Sequence, residues 1–535
     1  MSSTGSDLYV IGCGDATQKL SQQRTATAQT MGFKAFNLLQ MAQIQLPVPP
    51  AFVLGTGYCQ DEQTRASAAA PQTWVPGLKA LQDTCGQLLG DPRRPLLLSV
   101  RSGAPVSMPG MMETLLNIGL CDATVPGMIR QTGNPRLVWD AYRRLVMTFG
   151  EVVASLNPAL FEAELNKVAG DRDERDLDFA ELRTVTRACL ATYASVNGQP
   201  FPQDPQAQLA QAIAAVLQSW QSAKAREYRR VNKLPDELGT AVTVQAMVFG
   251  NAGGQSGAGV GFTRDPATGE PGLWVDFLFN AQGEDVVSGR RSAHGHTEMA
   301  EVLPAAWQAL QDAAALLERH FGDMQDVEFT VQDGRLYMLQ TRTGKRTPQA
   351  AARIALDMLD EGLIDTNMAK ARTASLTPQA LMRQRVVSAD GEPLTPLGHA
   401  ATACTGVAIG EIAFDEARAH ARLAGGASVV LVRRDAETSD MAALESAVGL
   451  LTQRGARTSH AAVVARQLGK VCLVGCSAMT LDESARSLML NGVTLHEGDV
   501  ITLDGNEGAI YQGVANTVMD EPIDLLARLA KLGDA

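Results

Sequence analysis

The residue with the clearest chemical potential is His460, which follows a short run of small and hydroxyl residues. Gly455 favours a turn, the hydroxyls of Thr458 and Ser459 can cap a helix, and the pattern over 461–466 predicts that helix. Orphan backbone N–H groups and the positive end of the helix dipole favour a bound anion at this position. The setting suits a nucleophile that takes up and passes on a phosphoryl group. A histidine that only caps the helix or packs in a core is the alternative.

Two carboxylates, Asp326 and Glu328, lie in a predicted β-hairpin whose turn is the Asp-Gly pair at 333–334. The alternation of a strand puts both carboxylates on one face, and on the returning strand Gln340 and Arg342 share a face. Neighbouring carboxylates repel each other unless a cation lies between them, and Mg²⁺ takes oxygen ligands from such pairs. An exposed sheet face with ordinary cross-strand pairs is the alternative.

Two basic residues stand beside glycines near predicted element ends. Lys34 follows Gly32 just before a predicted helix, where its ammonium group can reach a phosphate as a point charge. Arg101 ends a buried strand and enters a loop of serine and glycine, and its planar fork suits a pair of phosphate oxygens. A solvated lysine and an arginine in a structural ion pair are the alternatives.

A glycine-rich segment over 250–261 follows a predicted strand that contains Gln245 and Met247. Glycines such as Gly254 let backbone amides approach phosphates closely. The segment matches neither the Walker A motif nor the dinucleotide fingerprint, so a tight structural hairpin is the alternative. Glu284 follows in a second polar stretch, 280–285.

Together these segments resemble the pyruvate phosphate dikinases, a family of phosphoenolpyruvate-utilising enzymes. The similarity runs from about residue 32 to residue 511 and includes several separated motifs and a connector, which makes coincidence implausible. The run over 107–112 and the Thr-Ser pair before His460 are similar to the dikinases rather than to the water-using phosphoenolpyruvate synthases. The resemblance therefore implies inorganic phosphate as a co-substrate.

The resemblance implies an ATP-grasp-like nucleotide-binding cleft and a swivelling phosphohistidine domain, with Mg²⁺ as cofactor and ATP and inorganic phosphate as substrates. It implies that His460 is the catalytic nucleophile. The metal ligands that it implies are Asp326, Glu328 and Gln340. The residues that it implies for binding ATP or its phosphates are Lys34, Arg101, Gln245, Met247, Gly254, Glu284 and Arg342. Thr458 matches a threonine that is phosphorylated for regulation in plant enzymes of the family.

Composition narrows the class of protein that positions these residues. The chain has 535 residues, enough for about three to four domains. A net charge of −12 argues against a nucleic acid or an anionic membrane as the main partner. No stretch approaches the ~20 apolar residues of a membrane span, the N-terminus lacks a signal-peptide pattern, and the eight cysteines predict reduced thiols. We expect a cytoplasmic protein.

The predicted fold is multidomain, with α/β and α+β parts. The predicted divisions are an ATP-grasp-like nucleotide-binding domain over 1–345 with a helical subdomain at about 123–235, a helical linker over 346–388, a phosphohistidine domain over 389–515, and a tail over 516–535. Apolar spacing predicts helices over 138–155, 207–228 and 523–532, and strands over 428–432 and 471–474.

The family continues into a (β/α)₈ barrel that binds pyruvate and receives the phosphoryl group. Residues 512–535 are too few for such a barrel, which needs roughly 250 residues. We therefore expect a separate acceptor subunit, so that this chain performs the nucleotide half-reaction of a split dikinase. The acceptor would be pyruvate or another small metabolite. The alternative is a phosphocarrier or regulator whose phosphorylated His460 signals to a protein partner.

Overall fold

The structure is a computed structural model that describes residues 7–14, 26–106, 108, 113–170, 172–287, 296–388, 394–435, 441–455, 457 and 459–534. It divides into two compact units. The first comprises residues up to 253 together with 337–340, and the second comprises 254–336 together with 341 onward.

An antiparallel sheet of five strands organises the first unit. The strands are β1 (Leu8–Ile11), β2 (Ala51–Leu54), β3 (Leu98–Gly103), β4 (Thr114–Ile118) and β5 (Ala241–Ala246). Their spatial order is β1-β2-β5-β3-β4, so the strand that comes last in sequence lies in the middle. The segment between β4 and β5 is thus an excursion from the sheet, and it is mostly helical.

The helices of the first unit are α1 (Ala28–Met31), α2 (Phe33–Gln43), α3 (Glu62–Ala69), α4 (Pro71–Cys85), α5 (Val125–Thr132), α6 (Pro135–Val152), α7 (Ala159–Ala169), α8 (Phe179–Asn197), α9 (Pro205–Ser219) and α10 (Ala223–Val231). The helix predicted over 138–155 is α6. The one predicted over 207–228 is two helices, because the Ser222 hydroxyl accepts a hydrogen bond from the Ala225 amide and starts α10. Sheet and helices share one buried apolar cluster.

A second sheet has the strands β6 (Gly257–Arg264), β7 (Pro271–Phe279), β8 (Gln325–Gln332) and β9 (Arg335–Thr343), in the order β7-β6-β8-β9. Its residues belong to the second unit, except 337–340 of β9, which belong to the first. The predicted hairpin turn is confirmed, with positive φ at Asp333 (49°) and Gly334 (76°). The helices that accompany this sheet are α11 (Gly283–Val287), α12 (His296–Val302) and α13 (Pro304–Phe321), followed by α14 (Pro348–Asp360), α15 (Thr366–Thr373) and α16 (Pro378–Leu381).

Further along the second unit the chain forms three more sheets. Their strands are β10 (Arg383–Val387), β11 (Gly398–His399), β12 (Ala401–Cys404), β13 (Val407–Ala413), β14 (Val429–Arg433), β15 (Gly449–Thr452), β16 (Val471–Val474), β17 (Met479–Asp482), β18 (Ser487–Leu490), β19 (Val493–His496), β20 (Val500–Asp504), β21 (Ala509–Gln512) and β22 (Asn516–Asp520). The helices are α17 (Glu416–Ala424), α18 (Met441–Ser446), α19 (His460–Gln467) and α20 (Ile523–Asp534).

An eight-stranded sheet is the centre of this part, in the order β11-β21-β20-β13-β14-β15-β16-β12. Strands β13 to β16 are parallel, and both faces of β14 are buried. Val429 and Leu431 pack with the helices on one face, and Val430 and Val432 pack toward the small sheet β17-β18-β19 on the other. Burial on both faces explains why this strand is a continuous apolar run.

Strands β10 and β22 form a two-stranded antiparallel ribbon. The predicted helix over 523–532 is confirmed as α20, which packs against the linker helices. Its Arg528 forms ion pairs with Asp357 and Asp360, both at 2.7 Å. Neither strand of the ribbon was predicted, since 383–387 falls in the helical linker and 516–520 in the tail.

The predicted fold class is confirmed: the chain is a mixed α/β and α+β protein with several sheets. The predicted domain divisions at 345, 388 and 515 stay predictions. All eight cysteines are free thiols. Within the part of the chain that the structure describes, no helix combines the length and apolar character needed to span a bilayer.

Candidate functional site

A pocket in the first unit brings together residues from four separated motifs. Lys34, Arg101, Gln245 and Gln340 line it, together with Ala35, Leu38, Ser102, Thr243 and Leu339. Two cationic groups and two amides thus surround a narrow space that also has an apolar wall. This combination suits an anionic ligand that carries an apolar moiety, because the cations match the charge and the amides fix its orientation.

The position of Lys34 depends on the glycine before its helix. Gly32 has a φ of 75°, and a Cβ atom there would lie 1.9 Å from the carbonyl oxygen of Gly103, so another residue type would collide with the backbone. The Phe33 amide donates a hydrogen bond to the Ala104 carbonyl at 3.0 Å. These contacts hold the first turn of α2 against the end of β3, which is the strand that carries Arg101.

The register of the first sheet places the other pocket residues. Arg101 on β3 is opposite Thr243 on β5, and Gln245 lies two positions further along β5. Gln245 is buried, and its Nε2 donates to the Pro49 carbonyl at 3.0 Å, which fixes the amide. Met247, predicted to contact the nucleotide, follows β5, is half-buried and is outside the group of pocket-lining residues.

Two further residues predicted to bind ATP lie in the second unit. Gly254 is exposed, and a Cβ atom there would meet nothing within 4 Å, so the loop has room around it. Glu284 lies in α11, and its side chain is outside the described part of the structure. Their predicted contacts with ATP stay predictions.

The carboxylate pair also lies in the second unit, on β8. Asp326 is 6% exposed and accepts a hydrogen bond from Nε of Arg342 at 2.8 Å, whereas Glu328 is half-buried. Burial raises the pKa of Asp326 above its ordinary value, and the positive charge of Arg342 offsets this only in part. Glu328 acts in the same direction as burial, because a second negative charge opposes ionisation. The sheet therefore holds a buried carboxyl group whose ionised form is less favoured than that of an exposed aspartate.

Gln340, the third predicted metal ligand, is buried on β9, the strand next to β8 in the sheet. Among the residues that the structure describes, no group of three or more His, Cys, Asp or Glu side chains could hold a metal ion. A metal at this sheet would therefore need oxygen ligands from outside that set, such as an amide or a substrate phosphate.

His460 is the first residue of α19, as predicted. The Ser459 hydroxyl accepts a hydrogen bond from the Ala462 amide at 3.4 Å and is the N-cap. Ala461 and Ala462 are buried, and such small side chains let the helix lie close to the parallel strands. The imidazole of His460 and the whole of Thr458, the predicted regulatory threonine, are outside the described residues.

Sequence reasoning missed two arginines that flank His460. The Arg457 guanidinium lies 4.0 Å from the ring centroid of Trp274, and its Nε is 3.7 Å from a carboxylate oxygen of Asp276. Arg466 in α19 lies over the rings of Phe262, at 5.1 Å, and Trp274, at 5.8 Å. The helix that begins at His460 is thus held against β6 and β7. No local pattern marks these contacts, because they join residues that are far apart in the sequence.

Comparison with known proteins agrees with this architecture. The family model described as the pyruvate phosphate dikinase AMP/ATP-binding domain matches residues 66–301 and 292–363, together more than half of the chain. The model described as the mobile domain of PEP-utilising enzymes matches residues 425–508.

Individual relatives show the same similarity. The chain is 41% identical over 514 residues to pyruvate, phosphate dikinase 2 of Zea mays, which covers 94% of this chain and 58% of the relative. It is 40% identical over 506 residues to pyruvate, phosphate dikinase of Clostridium symbiosum, covering 93% and 58%. For pyruvate, phosphate dikinase 1 of Oryza sativa, a chloroplastic protein, the identity is 42% over 499 residues, covering 92% and 53%. The chain spans somewhat more than half the length of these relatives. The resemblance noted from the motifs is confirmed, and the chain belongs to the pyruvate phosphate dikinase family.

Proposed function

We propose that this chain is a phosphotransferase that phosphorylates His460 at the expense of ATP and inorganic phosphate, the nucleotide half of a dikinase reaction. The observation that carries the proposal is the convergence of Lys34, Arg101, Gln245 and Gln340 on one pocket of the first unit. The placement of His460 at the start of a capped helix and the membership of the dikinase family support it.

In the proposed reaction, Lys34 and Arg101 bind phosphate oxygens of ATP. Nε2 of His460 forms a bond to the β-phosphorus while the bond from that phosphorus to the oxygen bridging the α-phosphorus breaks, and AMP leaves. An oxygen of inorganic phosphate then attacks the γ-phosphorus of the pyrophosphorylated histidine, and pyrophosphate leaves. Phosphohistidine remains. Catalysis of such transfers is mainly positioning and charge neutralisation, which the cationic pocket can supply.

The donor set on the second sheet fits the proposed Mg²⁺. Asp326 and Glu328 are hard oxygen donors, and the only arginine hydrogen-bonded to Asp326 among the described residues is Arg342. Carboxylate oxygens on one strand are the kind of ligand that Mg²⁺ prefers; Gln340 completes the proposed ligand set. When bound, Mg²⁺ offsets the negative charge that develops on phosphoryl oxygens. Arg342, which donates a hydrogen bond to Asp326, has a second proposed role, which is to contact the phosphates of ATP.

We infer that the phosphoryl group then passes to an acceptor bound outside residues 1–535. The names of the relatives make pyruvate the first acceptor to test. The proposed transfer uses motion of the phosphohistidine domain about the helices that precede it, a hinge-type motion. A separate acceptor subunit and a cytoplasmic location remain our expectations.

The half-reaction is tested by intact-mass spectrometry of the chain after incubation with Mg²⁺-ATP, with and without phosphate. We expect an acid-labile adduct, AMP in both conditions, and pyrophosphate only with phosphate. His460→Ala should give no adduct, whereas His496→Ala, at an exposed strand end, should behave as the wild type. An adduct of equal yield in His460→Ala would rule out this nucleophile.

The acceptor is tested by adding two components to the phosphorylated chain. One is pyruvate, and the other is a full-length dikinase in which the histidine that becomes phosphorylated has been replaced by alanine. Formation of phosphoenolpyruvate that depends on the present chain supports a barrel-type acceptor. Stable phosphohistidine with no phosphoenolpyruvate directs the search to a different acceptor, including the protein partner of the phosphocarrier alternative.

A further inference from the structure

Arg466 has an unusual place in the second unit. The residue is 2% exposed and lies in α19, six positions after His460. Its Nε donates to the Ala403 carbonyl of β12 at 2.9 Å, and its Nη2 donates to the Arg457 carbonyl at 2.8 Å. One guanidinium thus joins the helix that starts at His460, the sheet beneath that helix and the loop that precedes it.

The third nitrogen, Nη1, is buried and has no hydrogen-bond partner among the described residues. Burial also lowers the pKa of Arg466. An incompletely bonded, buried cation is unfavourable for folding, and an apolar side chain of similar size would often be more stable there. Stabilisation of the fold alone therefore does not explain why an arginine occupies this position.

The charge of Arg466 has two kinds of partner on the other side of the contact. Its guanidinium lies over the aromatic rings of Phe262 and Trp274, a favourable cation–π arrangement. Its positive charge also acts on the carboxylate of Asp326. The charge of Arg466 in α19 thus reaches the carboxylate proposed to bind metal.

We propose that Arg466 is a positioning residue for phosphorylation of His460: it fixes the loop before the histidine and orients α19 against the Asp326 sheet through Trp274. The inference rests on the proposed function. Its contacts are with the loop, the sheet and the aromatic rings; through them it sets the approach of His460 and adds positive charge beside Asp326 only while α19 lies on the sheet. A misplacement of about 1 Å in such a site lowers a rate by about 100-fold.

The experiment uses the full chain in single-turnover measurements of AMP formation. Arg466→Gln should lower the rate constant by about 100-fold and change the KM for ATP by less than about threefold, because the phosphate pocket is in the first unit. Arg466→Lys keeps the charge and should recover about tenfold of the loss. Trp274→Leu leaves the hydrogen bonds of Arg466 in place and should lower the rate constant by about tenfold.

Fluorine NMR of the chain labelled with 5-fluorotryptophan gives a second readout that does not need activity. The chain has five tryptophans, and the resonance lost in Trp274→Leu identifies Trp274. Arg466→Gln should shift that resonance, and Arg466→Lys should shift it less. Thermal unfolding of each variant shows whether it is folded.

A structural role alone predicts equal losses for Arg466→Lys and Arg466→Gln that follow their unfolding temperatures, and a wild-type rate for Trp274→Leu; that result overturns the inference. An unchanged Trp274 resonance in Arg466→Gln also overturns it, whatever the activity. Failure of the proposed function would give a different result, because the wild type itself would then form no adduct on His460 in the presence of Mg²⁺-ATP.

Discussion

Two buried aspartates, one in each unit, are neutralised in different ways. Asp140 in α6 and Asp326 in β8 are both 6% exposed. Asp140 accepts hydrogen bonds from Nε and Nη2 of Arg143, at 3.2 and 2.6 Å, and from Nε of Arg144, at 3.0 Å. Asp326 accepts one from Nε of Arg342, at 2.8 Å. The same degree of burial therefore goes with two different amounts of compensating charge.

The difference appears in the direction of the two pKa shifts. Burial raises the pKa of both carboxyl groups. At Asp140 the charges of Arg144 and Arg143 outweigh burial, and the pKa lies below its ordinary value. At Asp326 burial prevails, and the pKa lies above it. A carboxylate that the protein saturates is structural, whereas one left short of positive charge can bind a further cation.

The largest expected effect is on catalysis at Asp326. Asp326→Asn removes the negative charge of the proposed metal ligand without changing its size, so the rate constant for AMP formation should fall by about 1,000-fold. The free energy of unfolding should change by less than about 1 kcal/mol, since the lost bond to Arg342 is offset by relief of a buried charge. Single-turnover kinetics and urea unfolding measure the two quantities. Asp333→Asn, the same change at the exposed hairpin turn, is the control and should be silent.

At Asp140 the same substitution should have the opposite profile. Asp140→Asn removes the buried carboxylate of Arg143 and leaves this buried arginine only the half-buried Glu174, at 3.1 Å, so the first unit should lose about 3 kcal/mol of stability. The rate constant for AMP formation per folded molecule should stay within about threefold of the wild type. Urea unfolding followed by tryptophan fluorescence tests this. If Asp140→Asn proves as stable as the wild type, charge saturation is the wrong description of the helical region.

The dependence of stability on pH should have opposite signs at the two sites. Because the pKa of Asp326 is raised in the folded state, the folded chain holds more protons there than the unfolded chain between the two pKa values. The contribution of Asp326 to stability is therefore favourable at low pH and is lost as the pH rises through the raised pKa. Asp140 contributes stability above its ordinary pKa of 3.8, and that contribution is lost as the pH falls through the lowered value.

The pH dependence at Asp326 is measured as the difference in unfolding temperature between the wild type and Asp326→Asn, from pH 7 down to pH 4. The wild type should gain relative to the variant on acidification. Protons and metal compete for the carboxylate, so addition of Mg²⁺ should reduce that gain. A difference that stays constant with pH contradicts the assigned direction of the Asp326 shift.

The smallest expected effect is that of reducing the positive charge around Asp140, which makes its surroundings more like those of Asp326. Arg144→Gln removes one of the two arginines on Asp140 and should cost about 1–2 kcal/mol of stability. It should also raise the pKa of Asp140, so that acid unfolding begins at a higher pH. Arg144→Lys, which keeps the charge, is the control and should lie between the variant and the wild type in the same acid titration.

Local patterns were sufficient for many elements. The strand Val471–Val474 has the predicted bounds, and the strand predicted over 428–432 is Val429–Arg433. The turn at 333–334 and the serine cap before His460 follow from residue chemistry that acts over two to four positions. The Asp140 pairs with Arg143 and Arg144 have the i,i+3 and i,i+4 spacing of a helix, so they could have been predicted from sequence as well.

Contacts between distant segments could not be predicted in this way. Arg466 and Trp274 are ordinary residues in their own segments, and only the tertiary fold joins them. The ribbon of β10 and β22 pairs two strands without a strong alternating pattern. For the pocket, the residues were predicted through the family resemblance, and their convergence depends on β5 entering the sheet between β2 and β3. Their roles in binding ATP and metal stay predictions.

The ribbon also brings together the two ends of the long segment over 388–515. Val387 and Asn516 are Cα partners in it, so this long segment leaves the chain and returns to it at one residue pair. The two ends of the segment are therefore as close as the two ends of a hairpin loop, which is the geometry at which inserted segments are tolerated. The region that contains His460 therefore has the geometry of an inserted segment, and the contacts that its removal would break are those with other elements, such as the contact of Arg466 with Trp274.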